Sequence, residues 1–233
     1  AAAAARSLLS GEVKAAGGAG LSPLNRATLP DGRRALLMFC SPTVAPLDTS
    51  REVTALRDAS LLAADTPVVQ GGSLDALRRA LREWRPHLFW FAGHGDVGLS
   101  DEQRTLGFSG SDGTLQLFDP LTLASELRAH IPLQGGSLEC VVLNACCSGG
   151  ALGTLGDLLV RCGVPSVVSW GSRAHNDASA LFARQCIVSL QEGTHASLTV
   201  QGGRALGVEL VLSGDGLRLL WTPLPGSPAP PSG

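Results

Sequence analysis

The sequence predicts an α/β fold built on a mostly parallel sheet. Apolar runs of strand length recur at residues 35–40, 86–92, 139–144 and 165–170, and such continuous runs suit strands buried on both faces. Segments with helical spacing separate them, giving a β-α-β-α-β order. The chain has 233 residues, 44% hydrophobic and 16% charged. That is an ordinary globular composition, long enough for one sizeable core.

Taken in order, residues 1–33 are rich in Ala, Gly and Pro and read as an arm or linker. The alanine run at the start, with Met38 as the only methionine, reads as a piece of a longer protein. Residues 35–40 form the first strand. Thr49, with Glu52 three residues later, makes a T-x-x-E capping box at the head of a helix. Val53, Leu56 and Ala63 share that helix's inner face. Residues 67–70 form a short strand. Ser73 caps a second helix, whose Leu74, Leu77, Leu81 and Trp84 follow helical spacing.

Residues 86–92 form the next long strand. After a polar stretch comes a hairpin with arms 105–109 and 114–118, turned at Ser111-Asp112-Gly113. A helix over 121–130, a strand over 139–144, a short helix over 155–161 and a strand over 165–170 follow. Asn176 caps a long helix with Ala178, Leu181, Phe182, Cys186 and Leu190 inward. A helix near 196–206 leads to a hairpin, 208–212 and 217–221, turned at Gly214-Asp215-Gly216. The domain thus spans 34–222, and the proline-rich tail 223–233 is disordered.

Charge narrows the range of partners. Lys and Arg number 18 against 20 Asp and Glu, a net charge of −2. No basic stretch resembles a phosphate-neutralising face, so nucleic acid is not an expected partner. No apolar run reaches the length of a membrane span, and no signal-peptide pattern is visible. Six cysteines occur without C-x-x-C spacing. This argues against a structural zinc site and for mostly buried thiols in a reducing, intracellular compartment. No metal and no cofactor is expected.

Two strand endings carry the chemistry. The run Leu88-Phe89-Trp90-Phe91-Ala92 stops at Gly93-His94-Gly95, and Cys140-Val141-Val142-Leu143-Asn144-Ala145 stops at Cys146. Open parallel sheets place ligands beyond the carboxyl ends of their strands. Neighbouring strands would therefore bring an imidazole and a thiol to one rim, the pairing that makes a thiol a nucleophile. Turn N–H groups around Cys146 help hold a thiolate. The competing reading makes His94 a loop histidine and Cys146 a small core residue. Cys147 faces the opposite way from Cys146, and spacing alone does not decide which points inward. A redox pair of Cys146 and Cys147 is a further alternative.

Two other patterns fail. Gly93 to Gly98 matches G-x-G-x-x-G, but no helix opens after it, as a dinucleotide site requires. The glycines from Gly149 to Gly156 lack the Gly-Lys-Ser/Thr ending of a phosphate loop. His87, His130 and His195 read as surface or capping residues. His175, following the strand that ends at Trp170, lies nearer the expected cleft.

A hydrophobic block ending in His94-Gly95 and a second ending in Ala145-Cys146 resemble the caspase-like cysteine peptidases. Their separation of 52 positions is close to the roughly 50 of caspase-type enzymes. Leu143-Asn144-Ala145-Cys146, then Ser148-Gly149, and later Asn176-Asp177-Ala178 with Leu181-Phe182, resemble the CHAT domain in particular. That module is often fused to helical repeats. Asn144 stands where caspases have Gln, and Cys147-Ser148 intervene before Gly149, so specificity for Asp does not carry over. The stretch 171–177 also departs from the Pro-Val-Asp that many CHAT domains have after the Trp.

The resemblance implies a three-layer caspase-like sandwich with a mostly parallel central sheet. It implies a cysteine endopeptidase with Cys146 as nucleophile and His94 as its base. It also implies an oxyanion hole from the backbone N–H groups of Gly95 and Cys146. Asn144, Asp48, Arg173, His175 and Asp177 are the expected pocket residues. The expected partners are a protein or peptide substrate and an adjacent regulatory domain, such as helical repeats. The alternative is a catalytically silent scaffold that binds proteins.

Overall fold

The computed structural model describes residues 24–99, 104–110, 112–146, 148, 154–170, 176–192, 197–200, 206–213 and 216–223. Its main sheet has five strands in the order β1 (Asn25–Thr28), β2 (Arg34–Phe39), β3 (Leu88–Ala92), β7 (Cys140–Asn144) and β8 (Ser166–Ser169). β2, β3, β7 and β8 run parallel, and β1 pairs antiparallel at the edge. A three-stranded antiparallel unit of β4 (His94–Gly98), β5 (Arg104–Ser109) and β6 (Leu115–Leu117) is inserted after β3. A second one, β9 (Ser197–Val200), β10 (Leu206–Ser213) and β11 (Gly216–Pro223), lies near the end of the chain.

The four parallel strands read as apolar runs because both faces of each are buried. Ala35, Leu37 and Phe39, with Leu88, Trp90 and Ala92, Cys140 and Val142, and Val168, enter one core cluster. α1 (Ser50–Asp58) and α5 (Asn176–Glu192) add Val53, Leu56, Phe182 and Ile187 to it. The alternate residues Leu36, Met38, Phe89, Phe91, Val141, Leu143 and Val167 enter a second cluster. There they meet Leu77 and Leu81 of α2 (Leu74–Trp84), Leu123 of α3 (Pro120–Arg128) and Leu159 of α4 (Leu155–Arg161). Strict alternation along a strand divides the two sets.

Several expectations need correction. The arm does not reach residue 33, because Asn25 and Ala27 turn inward from β1 while Arg26 and Thr28 stay exposed. The Asn25 side chain bonds the carbonyls of Leu37 and Val69 and accepts from Val69 N. The polar stretch after His94 is a strand, held by pairing with β5. Residues 67–70 make only an isolated bridge, Gln70 to Phe39. Ala63 lies beyond the end of α1 and is exposed. Leu181 points outward, 38% exposed, whereas Phe182 and Cys186 are buried. The expected helix near 196–206 contains a strand, β9.

Ser73 does cap α2, its hydroxyl accepting from Ala76 N at 3.1 Å. Thr49 makes no such bond at α1. Ser111 and Gly214-Asp215 at two expected turns, His195, the 224–233 part of the tail, and the side chains of Ala178 and Leu190 lie outside the described residues. Among the described residues, no helix is long and apolar enough to cross a membrane.

Candidate functional site

The site forms at the carboxyl ends of β3 and β7. These strands are hydrogen-bonded neighbours in parallel register, with Ala92 opposite Asn144. His94 and Cys146 each lie two residues beyond that last pair. Both line one cavity, together with Asp48, Thr49, Arg51, Glu52, Asn144 and Ser179. It lies on the face covered by α1 and α5.

His94 Nε2 lies 2.8 Å from the carbonyl oxygen of Ala45. A carbonyl only accepts, so Nε2 carries the proton, and in the neutral ring Nδ1 holds the lone pair. The Ala45 loop is itself anchored: Ala45 N bonds Pro42 O at 3.0 Å, and Thr43 N bonds Gly113 O at 2.9 Å. Asp96 takes no part in orienting the ring. A register shift between His94 and Val97 puts Asp96 at φ 57°, and its carboxylate pairs with Arg104 at 3.9 Å. Irregularities of this kind re-aim side chains beside a site.

Cys146 is half-exposed. Two tethers fix the turn that carries it. Ser148, 3% exposed, donates from Oγ to Leu143 O at 3.0 Å and accepts there from Trp170 N at 3.2 Å. Its carbonyl accepts from Gly156 N at the head of α4. Gly95 lies directly against this turn, and a methyl group on its Cα would overlap the Cys146 carbonyl oxygen. Only glycine fits there.

Beneath the cavity is a buried polar chain that the sequence reading missed. Glu52, 8% exposed, accepts from Trp90 Nε1 at 2.6 Å. Trp170 Nε1 donates to Asn144 Oδ1 at 2.6 Å. Asn144 must therefore present Nδ2 as donor, and it does so to Glu52 and, at 3.3 Å, to Ser179 O. The two indoles flank Phe182 at ring distances of 6.1 and 5.4 Å.

Burial pushes the Glu52 carboxyl up to about 7, and the Asn144 and Trp90 bonds pull it down only in part. The capping box expected at Thr49 is thus absent: Glu52 turns inward, and the Thr49 hydroxyl accepts from Gln70 Nε2 at 3.0 Å. The missed signal was positional. Glu52 lies four residues before Leu56 and next to Val53, on the buried side of α1.

Of the expected pocket residues, Asn144 forms the floor and Asp48 lies at the exposed edge. The Asp48 carboxyl is held below its usual range by hydrogen bonds from Ser50. Arg173, His175 and Cys147 lie outside the described residues, as does the side chain of Asp177. Among the described residues, no group of His, Cys, Asp and Glu could hold a metal ion.

No curated protein matches the chain. The family model of the CHAT domain matches residues 12–204, which span both strand endings, the cavity and the five described helices. The chain therefore belongs to the CHAT domain family, and with it to the caspase-like peptidase type of domain.

Proposed function

We propose that this domain is a cysteine endopeptidase in which Cys146 attacks the scissile carbonyl and His94 moves the protons. The observation that carries the reading is the placement of both residues in one cavity, at equal offsets beyond two paired parallel strands. His94 Nδ1 takes the thiol proton, and the sulfur forms a bond to the carbonyl carbon. The imidazolium then gives its proton to the departing amine as the C–N bond breaks. Water hydrolyses the thioester and restores the thiol. The contact of Gly95 with the Cys146 backbone supports an oxyanion hole built from their two N–H groups. The Ala45 carbonyl holds the ring while it is charged.

The core clusters on either side of the sheet support a three-layer caspase-like sandwich. We place the start of this domain at β1, with an extended peptide as its substrate and an adjacent domain as its regulator.

The test is a peptide-library digestion by the full chain, with Cys146→Ala and His94→Ala as comparisons. Each substitution is expected to lower cleavage by at least about 10³-fold, because the dyad acts as a unit. Cleavage equal to wild type in Cys146→Ala ends the proposal. A correctly folded wild type that cuts nothing, with a thiol no faster toward iodoacetamide than a free cysteine, favours the silent scaffold.

A further inference from the structure

Glu52 is a buried carboxyl that the peptide-cutting chemistry leaves unused. It forms part of the wall of the cavity that Cys146 and His94 share. Its partners are two neutral donors, Trp90 and Asn144, and no cation acts on it among the described residues. A carboxylate taken out of water is costly unless a positive charge accompanies it. The lining has room for only a slender group, and Leu47 and Ala145 give it apolar surface.

Among the described residues, the charged groups that line the cavity are few. Asp48 and Arg51, on the same segment as Glu52, are both exposed. They oppose each other in sign and are screened by solvent. His94 and Cys146 come from the ends of β3 and β7, and α5 contributes the uncharged Ser179. Among the described residues, Glu52 is therefore the buried ionisable group that faces the cavity.

We propose that Glu52 is a specificity-determining residue, selecting substrates with a positively charged side chain, Arg or Lys, on the carbonyl side of the cut bond. This rests on the cysteine peptidase reading above. The flat end of an arginine pairs with a carboxylate through two parallel N–H bonds. The aliphatic stem packs on the apolar lining. Arrival of the cation drives the proton off Glu52, so selection for charge strengthens as pH rises through neutrality.

The experiment compares two peptides that differ only in arginine or citrulline at that position. Citrulline keeps the shape and loses the charge. Wild-type full chain is expected to cut the arginine peptide with at least about 30-fold higher kcat/KM. Glu52→Gln is expected to bring the ratio close to 1. The ratio cancels the ionisation of the dyad, which both peptides share. It should rise between pH 6 and 8 in wild type and stay flat in Glu52→Gln.

A second measurement needs no turnover and no variant. Benzamidine, a planar cation without a scissile bond, should slow alkylation of Cys146 by iodoacetamide at least threefold, whereas neutral benzamide should not. Absence of that protection overturns the proposal. So does cleavage that depends on Cys146 but treats arginine and citrulline alike, and in that case the peptidase reading stands. Cleavage that survives Cys146→Ala removes both.

Discussion

Glu52 holds a proton in the folded protein at pH values where the unfolded chain has already released it. Burial raises its carboxyl from 4.5 to about 7. Between those values the folded state binds more protons than the unfolded one. Stability therefore falls as pH rises from about 4.5 toward 7, and the loss is complete above 7. A shift of this size corresponds to on the order of 3 kcal/mol. Glutamine keeps a hydrogen-bonding carbonyl and cannot ionise. Glu52→Gln is thus expected to gain stability relative to wild type between pH 5 and pH 8, measured as the difference in urea unfolding free energy. A difference that does not change with pH would mean that water reaches the carboxyl. The sequence hid this role because T-x-x-E is also the pattern of a capping box, which describes chain neighbours only. Trp90 and Asn144, the true partners of Glu52, are distant in sequence.

The two expected helix caps show how far local pattern can be trusted. Ser73 has an extended backbone and an open N–H to accept from, so the pattern and the structure agree. Thr49 has a helical backbone, φ −88° and ψ 0°, which aims its hydroxyl away from the helix start. Ser73→Ala is therefore expected to lose about 1 kcal/mol with an unchanged urea m-value. Thr49→Ala should cost stability only through its Gln70 contact. The central strands were legible because burial on both faces leaves a continuous apolar run. β1 was not, since four residues with an inward Asn resemble linker, and Asn25 is held by bonds to distant backbone. Nor was β4, where pairing with β5 holds a polar segment. β9 was not either, although Thr199 and Val200 favour a strand.

Across the whole molecule, one sheet serves two cores, and the cysteines report on both. Cys40 belongs to the cluster with α2, α3 and α4, whereas Cys140 and Cys186 belong to the one with α1 and α5. Burial pushes the Cys40 thiol up to about 11 and Cys140 to about 12, and raises Cys186 further. A buried thiol so far from ionisation does not react near neutral pH. The half-exposed Cys146 and Cys162 stay reachable. The site was legible at this scale where it depends on strand order, because parallel pairing of β3 and β7 carries His94 and Cys146 to one rim. Its floor was not, because α1, α5 and Trp170 reach it only once the sheet is covered. The cores share every central strand, so neither can open while the other stays packed. Brief iodoacetamide pulses at pH 7.5 across a urea series, read by peptide mass, should therefore label Cys146 and Cys162 throughout. Cys40, Cys140 and Cys186 should become labelled together, at one midpoint. Cys186 and Cys140 yielding at lower urea than Cys40 would show α1 and α5 to be a separately unfolding unit, and the cavity they floor would then open before the sheet does.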